Sequence, residues 1–133
     1  MVDSGWHCWQ PLQPFIVSII MLSFDDYQAG TAHTAIYPEA MTGSAMALAY
    51  VGLGLGESGE IQGKIKKILR DDSGVVSDEK KAAIAKEIGD LLWYAARTAD
   101  ELGTTLGEIA QVNLDKLSDR KDRGVLQGSG DDR

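Results

Sequence analysis

A chain of 133 residues, 44% apolar and 25% charged, has the size and balance of one ordinary globular domain. A net charge of −7 and a pI near 4.7 argue against a nucleic-acid polymer or an anionic membrane as the main partner. The lone cysteine, Cys8, excludes an internal disulfide and a cysteine zinc site, and the longest apolar run, Phe15 to Leu22, is far too short to span a bilayer.

Residues 1–22 hold two of the three tryptophans and no Lys or Arg, so they lack the basic start of a secretory signal. They read as an N-terminal extension or strap beside a domain at 23–123, and cytoplasmic location is the default. Ser23 with Asp26 three residues on resembles a capping box, and Phe24, Tyr27, Thr31 and Ala35 recur at helical spacing. That first helix must stop before Pro38. After a loop over 38–43, a long second helix is predicted from about Ser44 to Arg70. It carries no charge before Glu57, so its first half is expected to be buried almost all round.

Asp71, Asp72, Ser73 and Gly74 break the pattern. Ser77 or Asp78 caps a third helix that ends at Leu102, with Gly103 in the position that favours a left-handed residue. Thr105 and Glu108 form a second capping box, starting a fourth helix through about Arg120 or Lys121. The Gly, Ser and Asp of 124–133 predict a flexible tail. The chain is therefore expected to be all-α, a four-helix bundle.

Gly54-x-Gly56-x-x-Gly59 matches the phosphate-turn pattern of dinucleotide folds, but such a fold needs further parallel strands, which the sequence does not supply. The glycines have a better use. Gly52, Gly56, Gly59 and Gly63 form a narrow stripe that would let another helix or a ligand approach closely.

Two pairs of acids organise the remainder. Glu57-x-x-Glu60 lies on the second helix and Glu87-x-x-Asp90 on the third. A three-residue step on a helix is about 300°, so each pair shares one face. Both pairs border apolar stripes, Ile61 and Ile68 in one case and Ile84, Ile88 and Leu91 in the other. Alone, a helical Glu-x-x-Glu is usually a solvated pair. Four carboxylates converging in a partly dry place must instead protonate or hold a cation, and a metal is the better answer. On the fourth helix, Asn113-x-x-Lys116-x-x-x-Arg120 sets an amide and two cations at the edge of the face made by Leu106, Ile109 and Leu117. Acids for a hard cation beside cations for anionic oxygens suit a metal-bound polyphosphate. The all-oxygen ligand set disfavours zinc and di-iron sites and selects Mg²⁺, with Mn²⁺ as a substitute.

In their order, spacing and helices, these three motifs resemble the MazG-like branch of the all-α nucleoside triphosphate pyrophosphohydrolases. The likeness covers about residues 24–123, including Thr34 to Pro38 at the end of the first helix. It implies Mg²⁺-dependent cleavage of a (deoxy)nucleoside triphosphate between the α and β phosphorus, of the nucleotide-pool housecleaning type. It also implies a bundle completed by dimerisation or higher homo-oligomerisation. On this reading Glu57, Glu60, Glu87 and Asp90 hold the metal, and Glu57 also serves as general base. Lys116 and Arg120 stabilise the polyphosphate, and Asn113 contacts sugar or phosphate. Some relatives carry a second acid where this chain has Gly56. His33 and Tyr37 are candidates to contact the base, and Lys64 to steady the acids or touch phosphate, although lysines so placed more often snorkel to solvent. Trp93 is placed off the carboxylate face. The alternatives are a phosphoribosyl-ATP pyrophosphohydrolase and a non-catalytic helical oligomer.

Overall fold

The computed structural model describes residues 21–130, so residues 1–20 of the proposed strap over 1–22 lie outside the described residues. Five α-helices follow in order: α1 (Phe24–Thr31), α2 (Ala45–Gly54), α3 (Ser58–Asp71), α4 (Asp78–Glu101) and α5 (Leu106–Asp122). Among the described residues there is no strand, and no helix is long and apolar enough to cross a membrane.

The starts are set by short polar side chains. Ser23 and Thr105 form the capping boxes expected of them with Asp26 and Glu108, and Ser44 and Ser77 accept the N–H groups of Ala47 and Lys80. At the end of α4, Gly103 has φ +71°, its N–H reaches Asp100 O, and Thr104 N–H reaches Ala99 O. This is a Schellman ending, which reverses the chain into α5 within a few residues.

The predicted second helix is not continuous. A 3₁₀ turn over Leu55–Glu57 divides it into α2 and α3. Counting the two pieces as one interrupted rod gives the expected four. The turn comes where α2 crosses α4 at a glycine: a Cβ on Gly54 would lie 2.1 Å from the Tyr94 ring. The glycines around it add no helix propensity to resist the tighter winding. The single helix expected from about Ser44 to Arg70 therefore does not keep one 100° step across Leu55.

The first half of that rod is also less buried than expected. Ala47 and Val51 are buried, whereas Met46, Tyr50 and Leu53 stay exposed. Among the described residues, α4 and the 37–40 loop pack over α2, through Trp93, Tyr94, Tyr37 and Ala40, and they cover one side.

All the other helices pack on α4. Its C-terminal half buries Ala96 and Ala99 against Tyr27 and Leu106. It also buries Arg97, whose Nε donates to Thr31 Oγ1 (2.9 Å) and whose Nη2 donates to the Gln28 carbonyl (2.7 Å) and pairs with Asp100. The Gln28 side chain extends this polar knot, donating to Asp100 (2.7 Å) and Thr104 O (3.1 Å) and accepting Leu106 N–H (2.6 Å). One glutamine thereby joins α1, the end of α4 and the start of α5.

The glycines divide by role. A Gly54→Ala variant should lose about 1–3 kcal/mol to overpacking against Tyr94, more than alanine's propensity returns. A Cβ at Gly63 meets nothing within 4 Å, so Gly63→Ala should gain up to about 1 kcal/mol. Urea denaturation of both variants checks the pair. A loss at Gly63 would mean that a ligand or a second copy occupies the glycine stripe.

Candidate active site

The 3₁₀ turn delivers Glu57 to the gap between α3 and α4. There it lines a pocket of about 370 Å³ together with Asp90, Trp93 and Tyr94 of α4 and Thr34, which follows α1. Glu57 is half-buried and Asp90 exposed. Tyr27 packs beside them: burial, and secondarily the Asp90 charge, push its hydroxyl above the ordinary tyrosine value.

The other two acids are placed differently. Glu60 is exposed on the first turn of α3. Glu87 is half-buried and pairs with Lys64 of α3 at 3.2 Å, so in this structure Lys64 steadies one of the acids. Among the described residues no group of three or more His, Cys, Asp or Glu stands together as a metal site. The two helices bring one carboxylate from each pair into the pocket, not all four.

The fourth-helix motif lies elsewhere in this chain. Asn113 and Lys116 line a second pocket, of about 390 Å³, with Thr104, Glu108, Ile109 and Val112. Arg120 is buried and donates to the Gly130 carbonyl at 3.5 Å. Lys116 and the two acids thus open onto separate pockets, and Arg120 lines neither.

His33 is exposed in the 3₁₀ turn that follows α1. Tyr37 is buried, and its hydroxyl donates to Glu101 at 2.5 Å. Glu101 also accepts Met41 N–H (2.7 Å) and Gly43 N–H (2.8 Å), pinning a loop in which Glu39, Met41 and Gly43 all have positive φ. Two of these are not glycine, so the latch holds a loop that costs energy to form. Sequence reasoning missed Glu101, although it stands four residues after Arg97 and so shares a helix face with it.

Burial by itself raises the Glu101 carboxyl, but the Tyr37 hydroxyl and the backbone of Met41, Gly43 and Thr42 outweigh it and hold it below its usual value. A depressed carboxyl contributes stability that is present above its unfolded pKa and is lost as pH falls through the folded value. Burial and Glu101 push Tyr37 up to about 12, so its share is intact below about pH 10 and is lost above that. Glu101→Gln should flatten the acid side of the melting-temperature profile, as thermal denaturation across pH 2–8 would show.

Trp93 was placed off the acid face by sequence reasoning, yet it stands in the acid pocket. The signal was available, because Asp90 and Trp93 are three residues apart and so share a face by the rule that joins Glu87 to Asp90. Thr34 carried no such signal, being brought in by the path of the chain after α1.

A family model described as the MazG nucleotide pyrophosphohydrolase domain matches residues 48–125, more than half of the chain. The chain belongs to the MazG nucleotide pyrophosphohydrolase family. The match runs from α2 into the tail and contains Glu57, Asp90, Trp93 and Tyr94, with Thr34 outside it. A curated relative, "Gene 37 protein" of Mycobacterium phage L5, is 50% identical over 111 residues, covering 82% of this chain and 97% of that protein. No solved structure matches. The MazG domain and the all-α architecture agree.

Proposed function

We propose that this MazG-family protein hydrolyses a ribo- or deoxynucleoside triphosphate to the monophosphate and pyrophosphate, as a cytoplasmic housecleaner of the nucleotide pool. The observation that carries this reading is the pocket itself: one carboxylate from each acid motif, Glu57 and Asp90, beside an aromatic wall. Acids suit a metal-bound polyphosphate, and flat rings suit a base.

The donor set fits a hard divalent cation. Mg²⁺ is commonly held by one or two carboxylates, with water and substrate phosphate supplying the other oxygens. Glu57 and Asp90 are the proposed inner ligands. Glu60 and Glu87 flank them, and Glu87 is shared with Lys64. When bound, Mg²⁺ or Mn²⁺ would neutralise charge on the phosphate oxygens and on the departing pyrophosphate. Glu57, half-buried, is proposed to take the proton from the attacking water. Asn113, Lys116 and Arg120 lie away from the acid pocket of their own chain, so their assignment to the sugar and the distal phosphates is to a site shared with a second copy of the chain.

A homodimer or larger homo-oligomer belongs to the same proposal. Ile109, Val112, Leu114 and Leu117 of α5 are exposed, as are Leu53 of α2 and Leu69 of α3. That is more apolar surface than one small bundle leaves to water. Light scattering at micromolar concentration should show at least a dimer.

The deciding experiment is hydrolysis of a nucleoside triphosphate panel with Mg²⁺ in ¹⁸O water. Pyrophosphate should be released, with the label confined to the monophosphate. Nucleoside diphosphate and orthophosphate as primary products, or label in the pyrophosphate, would overturn the reading.

A further inference from the structure

Trp93 is held from several sides. Its indole Nε1 donates to Thr34 Oγ1 at 2.7 Å, and the Thr34 hydroxyl donates in turn to the Thr31 carbonyl at 3.0 Å. The ring meets Tyr94 edge-on, with centroids 5.1 Å apart and planes at 89°, and meets Tyr37 similarly at 6.3 Å and 86°. Tyr37 is itself fixed by Glu101 and stacks on Tyr50 at 5.5 Å. An indole so clamped has little rotamer freedom left to lose on binding.

The pinning also decides what Trp93 offers. Its single donor is satisfied by Thr34, so what remains for the pocket is ring surface. Ring surface gives nothing to a phosphate or a sugar hydroxyl, which need hydrogen-bond partners. It matches the π face of a heterocyclic base. The ring stands in the same pocket as Glu57 and Asp90, so a ligand held by the acids through its phosphates has its base within reach of the wall.

We propose that Trp93 is the nucleobase platform of this site, with Thr34 as the positioning residue that sets its orientation. The ligand class is nucleotides, selected over inorganic polyphosphate and sugar phosphates that carry no base. The proposal rests on the pocket binding a nucleoside triphosphate and adds the residues that sense the base.

The test uses the full chain and measures binding by calorimetry in Mg²⁺, with nucleoside triphosphates at a temperature and time that precede turnover, nucleoside monophosphates, and tripolyphosphate as the ligand without a base. Trp93→Ala should weaken both nucleotide classes about 10- to 100-fold, the range of one lost base stack, and tripolyphosphate less than about twofold. Trp93→Phe should keep most of the affinity. Thr34→Val, which removes the Nε1 partner, should weaken nucleotides, whereas Thr34→Ser should bind as the parent does. This second pair decides the matter if Trp93→Ala does not fold. In a Trp6→Phe/Trp9→Phe background Trp93 is the sole tryptophan, and a nucleoside monophosphate should quench its emission under tryptophan-selective excitation. Folded variants that bind nucleotides like the parent, or that lose tripolyphosphate equally, would overturn the platform and leave the hydrolase reading standing. A parent that binds tripolyphosphate but no nucleotide would overturn both.

Discussion

Asp90→Asn and Glu57→Gln should each lower kcat/KM by about a hundredfold or more. Each removes one of the two carboxylates that line the pocket, and electrostatic support of a phosphoryl transition state by a held cation is worth several kcal/mol. The loss should appear mainly in kcat if the cation acts on the transition state. A second readout separates lost metal from lost fold. The parent should gain melting temperature as Mg²⁺ is added, following ligand linkage, and the variants should lose that gain. In metal-free buffer both variants should melt no lower than the parent, because neither acid is fully buried and removing one eases mutual repulsion. Parent-like Mg²⁺ binding by both variants would show that these acids are not the ligands.

Arg97→Met should be the most damaging single change to the fold, at about 3–5 kcal/mol. The guanidinium is fully buried, and its removal takes one charged partner from the Thr31 hydroxyl, the Gln28 carbonyl and the Asp100 carboxylate, leaving Asp100 only the neutral Gln28 amide at this end of the bundle. Those groups tie α1 to α4, and through Gln28 to the start of α5. Such a loss lowers the melting temperature of a domain this size by roughly 10 °C or more. Arg123 supplies the contrast. It pairs with Asp119 at 2.7 Å, but both side chains are about half exposed or more, so Arg123→Ala should stay within about 1 kcal/mol of the parent. Urea denaturation of the two variants, read by midpoint and slope, makes the comparison. Equal losses would mean that Arg97 is not the anchor its hydrogen bonds describe.

Much of this was legible in the residues. Ser23, Ser44, Ser77 and Thr105 marked four helix starts correctly, and Gly103 marked the end of α4, because capping is local chemistry settled within a turn. The order of Glu57, Asp90 and the fourth-helix motif was enough to suggest the family, since a motif is a property of the chain before it folds.

What the sequence could not decide was how helices approach one another. The break at Leu55–Glu57 comes directly after Gly54, which lies against Tyr94, a residue 40 positions later, and it places Glu57 in a 3₁₀ turn instead of a continuous helix. The burial of Arg97 and Glu101 depends on α1 and the 38–43 loop closing over α4. A periodicity rule that expects apolar residues inside cannot anticipate this. Trp93 belongs with the acids because Thr34 returns to meet its indole nitrogen across 59 residues of sequence. Local hydrogen bonds and helical spacing are encoded over three or four residues and can be read directly. The pocket is a set of distances between residues far apart in the chain, and those distances exist only once the helices have packed.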